Sequence, residues 1–324
     1  ATLPIIAAVG GMVVPALIYF AINPEGDASR GWGIPMATDI AFALGAIALL
    51  ASRVPKSLIT FLVALAIVDD LGAIIVIALF YTENLSMGWL ITSSVFFAML
   101  LMLNLAGVRK ITPYFIISVL LWYAMFESGI HATLAGVLGA FSVPARPKYD
   151  AALFSKHVRE TIDNFDDSLD KGRNILTNDK LRGIVHSLES GALQVQAPLQ
   201  RLEHAWHLPV AYLVIPIFAL FNAGIPLNLD NLGQTLAQPV TLGVILGLVL
   251  GKVLVIAGSC WIAIHFGIGQ LPAGTRFVQI IGVSLLAGIG FTMSIFIAEL
   301  GFIHQPELLI MAKTGILFAS LIAG

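Results

Sequence analysis

Phe61-Leu62-Val63-Ala64-Leu65-Ala66-Ile67-Val68-Asp69-Asp70-Leu71-Gly72-Ala73-Ile74-Ile75-Val76-Ile77-Ala78-Leu79-Phe80 is apolar enough to cross a bilayer, which takes about 20 residues. Two adjacent carboxylates sit near its middle. A charged side chain at that depth costs roughly 2.5–3.5 kcal/mol on insertion scales, so a pair there demands a use. Neighbours on a helix point about 100° apart, so Asp69 and Asp70 cannot face one partner. The expectation is that one holds a permanent partner while the other faces a wet cavity and exchanges a proton or an ion. The plainer alternative is a pair tied up in structural hydrogen bonds or marking a helix break.

The rest of the chain agrees with a membrane setting. Of its 324 residues 58% are hydrophobic and only 11% are Asp, Glu, Lys or Arg, against about 25% charged residues in soluble domains. Mean hydropathy is +0.93. The net charge of −2 gives no reason to expect nucleic acid as a partner. A single cysteine, Cys260, rules out an internal disulfide and a thiolate metal cluster.

Hydropathy places ten spans near 3–23, 34–51, 57–81, 87–107, 111–127, 129–143, 208–224, 238–265, 276–300 and 307–324. If all ten cross, one set of loops holds fourteen Lys and Arg residues and the other holds only Arg30. That asymmetry is what the positive-inside rule produces, with Ala1 on the cytoplasmic side. Three regions follow: residues 1–143 with six spans, including candidate ion-site helices 34–51 and 57–81; a polar, amphipathic cytoplasmic linker over 144–206; and residues 207–324 with four spans. In the linker Leu153, Ile162, Phe165, Leu169 and Leu176 are read as the apolar face of helical stretches. The fold class expected is an all-α polytopic membrane protein.

Two spans are interrupted. The second reads Gly33-Ile34-Pro35-Met36-Ala37-Thr38-Asp39-Ile40-Ala41-Phe42, where Pro35 disturbs the first turn and Thr38 and Asp39 place polar groups in apolar surroundings. The ninth, 276–300, contains Ala287-Gly288-Ile289-Gly290-Phe291-Thr292-Met293-Ser294. Interruptions in corresponding spans of two halves point to an inverted-repeat transporter with two discontinuous helices. Broken helices expose positive N-terminal and negative C-terminal ends, so Asp39 suits facing N-termini and a cation suits facing C-termini. Lys252, deep in the eighth span, supplies such a cation and a partner for an intramembrane aspartate; snorkelling is its plainer reading. Lys313 in the last span suits packing or helix-end compensation. Glu203 and His204, just ahead of the seventh span, form a cluster that titrates near neutrality, although a solvated helix start explains them equally.

Ala37-Thr38-Asp39-Ile40-Ala41-Phe42-Ala43-Leu44-Gly45, Ala64 to Ala73, Ser128 to Gly136, Arg201-Leu202-Glu203-His204 and Gly288 to Phe296 together resemble NhaA-type sodium/proton antiporters. That family is itself built from inverted repeats, so the two interrupted spans and the resemblance point to one and the same architecture. The resemblance implies that Asp70 binds sodium or lithium in alternation with protons, with Asp69 as its neighbour and Lys252 as the partner of Asp69. It implies that Thr38 and Asp39 stand beside the ion, that Gly288, Gly290 and Thr292 form the second break, and that Glu203 and His204 respond to pH. It further implies exchange that is pH-regulated and electrogenic, two protons per sodium, a bacterial inner membrane location and no cofactor. Members of the family have twelve spans, and this sequence is similar to the third onward. The hairpin between the first two, which helps form the family's homodimer, is expected to be missing, and both ends are expected to be cut.

Two other functions compete. An intramembrane aspartyl protease needs two facing aspartates that share a proton, and Lys252 would then be superfluous. A proton-coupled carrier of another small solute, such as an organic anion, would want a cationic pocket, whereas this chain concentrates acids and oxygens that suit a hard cation.

Overall fold

A computed structural model of the protein describes residues 2–49, 54–82, 85–147, 151–166, 179–222, 224 and 232–324. These residues form helices and no strand. That follows from the solvent, because in hydrocarbon a helix satisfies its backbone groups within its own segment. Among the described residues six helices are long and apolar enough to span: Thr2–Ile22, Lys56–Phe80, Met87–Leu105, Pro198–Asn222, Pro239–His265 and Pro306–Ala323. Two further pairs are bent, Asp27–Met36 with Ile40–Leu49 by 42° and Phe277–Leu286 with Phe291–Gly301 by 46°.

The chain divides into two compact units, Ala1–Thr82 with Ala211–Gly324, and Glu83–Val210. In the first, the helix Thr2–Ile22 turns Leu3, Ala7, Ala8, Gly11, Pro15 and Tyr19 inward, while Ile5, Val9, Val13, Leu17 and Phe20 are exposed. Both faces are largely apolar, and the middle of the inward face, Ala7 to Ala16, is made of small residues. Small residues let backbones approach, as membrane helices require. A methyl at Gly10 would lie 2.7 Å from Val255 Cγ1, and one at Gly251 would lie 3.2 Å from Pro15 Cα.

The helix Pro239–His265 contains a π turn at Leu246–Gly251, immediately before Lys252. Gly247 lies in that turn, where a methyl would meet Pro35 Cβ at 2.7 Å. The segment Asp27–Met36 is wound as a 3₁₀ helix that ends at Pro35-Met36, after which Ala37 is extended. The second break is Ala287–Gly290, and there a methyl on Gly288 would lie 2.5 Å from the Leu248 carbonyl oxygen.

In the second unit Met87–Leu105, Ile111–Glu127 and Thr133–Ser142 pack around Leu100, Tyr114, Leu121, Met125 and Ala135. The span expected at 129–143 has only ten helical residues, about 15 Å, because Gly129 takes a left-handed turn (φ 85°) and the chain resumes its helix at Thr133. The span expected at 208–224 begins earlier than the hydropathy indicates: its helix starts at Pro198, so Glu203 and His204 are part of it. Pro209 and Pro216 each withdraw a backbone donor, and the helix widens into a π turn at Val210–Val214 between them.

The linker forms two amphipathic helices, Ala151–Asp166 and Asp179–Val195, which pack on each other with Gly191 close to Phe154. Phe154, Val158, Thr161 and Phe165 form the inner side of the first, while Ile162, expected on that face, is 46% exposed. The side chain of Leu153, and Leu169 and Leu176 altogether, lie outside the described residues.

The second break provides a stability test. Gly288→Ala should lose about 1–3 kcal/mol, because its new methyl collides with a main-chain oxygen that cannot move aside. Gly282→Ala, with open space around it, should be neutral or gain a few tenths of a kcal/mol. Thermal unfolding of the two variants in detergent checks this, and equal midpoints would show that the close approach is not restrictive.

Candidate ion site

The two breaks meet. The backbone N–H of Asp39 donates to the Ile289 carbonyl at 2.6 Å, bringing the extended segment after Met36 against the segment before Gly290. A methyl on Gly290 would lie 2.1 Å from Ser294 Oγ and 3.1 Å from the Ala37 carbonyl oxygen, so the crossing is tightly packed at this residue. Ser294 ties the crossing further by donating its hydroxyl to the Ile34 carbonyl at 2.9 Å.

Asp39 stands at the start of both half-helices that leave this crossing. Its Oδ1 accepts the N–H of Phe42 at 3.1 Å, in the first turn of Ile40–Leu49. Its Oδ2 accepts the N–H of Thr292 at 2.9 Å, in the first turn of Phe291–Gly301, and the Thr292 hydroxyl as well. One buried carboxylate therefore caps two helix N-termini, whose unsatisfied N–H groups and partial positive charge both favour an anion.

The opposite sign gathers at the other two ends. Lys252, fully buried, donates to the Met36 carbonyl at the end of the 3₁₀ segment and to Asp69 Oδ2. It also lies 3.2 Å from Thr38 Oγ1. The Thr38 hydroxyl is 2.7 Å from Asp69 Oδ2 and 2.8 Å from the Ala287 carbonyl, just past the end of Phe277–Leu286. Having one proton, it donates to one of those acceptors at a time. A buried ammonium near helix C-termini, paired with a buried carboxylate, offsets part of the desolvation that each charge suffers.

Asp69 and Asp70 leave the helix Lys56–Phe80 in different directions. Asp69 is fully buried and directs Oδ2 at Lys252 and Thr38. Its Oδ1 has no hydrogen-bond partner among the described residues, and neither does Asp70 Oδ1, which is also buried. Asp70 as a whole is half-buried and within electrostatic reach of Asp69, Lys252 and Asp39. The site thus offers carboxylate and hydroxyl oxygens and no sulfur, a donor set that suits a proton or a small hard cation. Among the described residues no group of three or more His, Cys, Asp or Glu side chains forms a metal-binding cluster.

The structure thus brings Thr38, Asp39, Asp69, Asp70, Lys252 and Thr292 into one neighbourhood, with Gly288 and Gly290 at its backbone crossing. Glu203 and His204 belong to the second unit, where with Gln200 and His207 they line a recess of about 390 Å³. The carbonyls of Met36, Ala287 and Ile289 are site members with no signature in residue type; only knowledge of where each helix stops would reveal them.

All 324 residues match the sequence profile described as Na+/H+ antiporter 1. The chain is 54% identical to Na(+)/H(+) antiporter NhaA 1 of Saccharophagus degradans, an alignment covering all of this chain and 70% of that protein. It is 51% identical to Na(+)/H(+) antiporter NhaA of Sulfurimonas denitrificans over all of this chain and 73% of the relative. Against Na(+)/H(+) antiporter NhaA of Dichelobacter nodosus the identity is 49%, again over all of this chain and 70% of the relative. The chain belongs to the Na+/H+ antiporter 1 family: it is a multi-pass membrane protein and a secondary transporter, not an enzyme.

Proposed function

We propose that this chain exchanges sodium or lithium for protons by competition at Asp70 and Asp69, with Thr38 contributing an oxygen. The observation that carries this reading is the pair of buried oxygens, Asp69 Oδ1 and Asp70 Oδ1, without hydrogen-bond partners among the described residues. Acceptor-only oxygens in such surroundings are stabilised by a proton or by a cation, and the two cannot occupy one lone pair together. Facing the side of high proton activity, Asp70 is protonated and Asp69 holds Lys252. Facing the other side, Asp70 loses its proton and a cation joins both carboxylates. Lys252 then gives up its proton as its partner turns to the cation.

With Lys252 taken as the second proton carrier, the charge count matches the ratio that the family resemblance implies. The cation-loaded site carries two carboxylates, one Na+ and a neutral lysine, for a net charge of −1. The proton-loaded site carries a neutral Asp70 with the Asp69–Lys252 ion pair, for a net charge of zero. Two protons therefore replace one sodium, and each cycle moves one net charge across the membrane. Asp39 takes no part in the exchange, because its two oxygens cap two helix N-termini. Glu203 and His204 lie outside this cycle, in the recess with Gln200 and His207, and are assigned to its pH response. The bias of Lys and Arg to one set of loops fits a bacterial inner membrane with that set in the cytoplasm.

An aspartyl protease pair fits these residues poorly. Asp39 is engaged by two helix N-termini and Asp69 by Lys252, so neither is free to share a proton with a facing aspartate.

In proteoliposomes, Asp70→Asn should lower sodium-dependent proton movement at least about 100-fold at unchanged protein level, since the amide can neither release a proton nor neutralise a cation. Full sodium-dependent proton movement in that variant would defeat the reading. With equal pH on both sides, each unit of alkalinisation should lower the KM for sodium by up to about tenfold per competing proton, until the site is deprotonated. A KM for sodium that does not change with pH would exclude competition.

A further inference from the structure

A second charged pair lies in the first unit, apart from the residues that surround the proposed cation. Lys313, midway along Pro306–Ala323, donates to Glu299 Oε1 at 2.8 Å and to the Asn222 carbonyl at 3.1 Å. Their side chains are 11% and 34% exposed, so the pair is largely withdrawn from its surroundings. Asn222 is the last residue of Pro198–Asn222, and Glu299 lies in the last turn of Phe291–Gly301. One ammonium thus joins the C-terminal ends of two helices to the body of a third.

Glu299 is badly placed on its own. An anion in the last turn of a helix meets the negative end of the helix dipole, and an isolated carboxylate within an apolar span is costly. Paired with Lys313 it becomes a fixed anchor. Glu299 follows Thr292 by seven residues, so the two share one face of the half-helix about 10 Å apart along its axis. The half-helix is eleven residues long and starts beside the Gly288-Ile289-Gly290 break. At its first turn Thr292 holds Asp39 and Ser294 holds the Ile34 carbonyl; at its last turn Glu299 holds Lys313. A stiff helix tethered at both ends cannot tilt at one without loading the other.

We propose that Glu299 is a positioning residue for ion exchange: its pair with Lys313 fixes the far end of the half-helix Phe291–Gly301 and thereby the placement of Thr292 against Asp39. The pair touches none of the oxygens assigned to the cation, so it acts on the rate at which the site is turned over and leaves cation affinity intact. This rests on sodium–proton exchange as the activity, and not on which carboxylate carries the cation.

The test measures turnover at saturating sodium and the KM for sodium in proteoliposomes, normalised to protein in the membrane. Glu299→Gln keeps the shape and a hydrogen-bond acceptor and removes only the charge. It should lower turnover about tenfold while the KM stays within about twofold. Glu299→Asp, which keeps the charge and leaves Lys313 on the Asn222 carbonyl, should recover several-fold over Glu299→Gln. Wild-type turnover in Glu299→Gln, or a raised KM with turnover unchanged, would overturn the proposal, as would Glu299→Asp no faster than Glu299→Gln. Asp70→Asn run alongside tests the cation assignment separately, and exchange persisting there would sink that assignment while leaving the Glu299 result readable.

Discussion

The crossing of two broken helices imposes the requirement that the rest of the first unit answers. Four helix ends meet inside an apolar unit, two with unsatisfied N–H groups and two with unsatisfied carbonyls, and hydrocarbon offers none of them a partner. Asp39 meets both N-terminal ends with one carboxylate. Lys252 meets a C-terminal end with an ammonium and Asp69 with the same atom, while Thr38 reaches the other carbonyl end. The close packing follows from this. Gly247 lets the lysine-bearing helix lie against Pro35, Gly290 lets the second break pass the Ala37 carbonyl, and Gly288 lets it pass the Leu248 carbonyl. The electrostatics can be satisfied only at distances that side chains would forbid.

Much of this is legible in the sequence because it breaks the rules of its setting. Carboxylates, a lysine and paired glycines in apolar spans are expensive, so Thr38-Asp39, Asp69-Asp70, Lys252 and Gly288–Gly290 each announce themselves. What stays hidden is what residue type does not encode. Helix phase decides that Lys252 meets Asp69, a pairing that the family resemblance implies and that residue type alone does not show. Hydropathy measures where a helix enters lipid rather than where it begins, so the turns from Pro198 that carry Glu203 and His204 look like a preceding segment. The apolar character of Ile162 suggests the inner face of the linker, yet Thr161 takes that position. Glu299 leaves a readable signal, an acid seven residues beyond Thr292 in an apolar span, but its partner lies on another helix and only the fold joins them.

The acids of the first unit differ in how completely the protein has committed them. Asp39 uses both oxygens on main-chain donors that belong to the fold and cannot be withdrawn without breaking it. Asp69 has one oxygen engaged and one without a partner among the described residues. Asp70, one position further along, has a buried oxygen without a hydrogen-bond partner among the described residues and feels the charges of Asp69, Lys252 and Asp39. The more donors a carboxylate already has, the less it gains from a proton or a cation, because either must displace or share what is there. The order of commitment is therefore an order of exchangeability. In the proposed exchange the fixed charges therefore belong to the backbone crossing and the exchangeable carboxylate stands beside it.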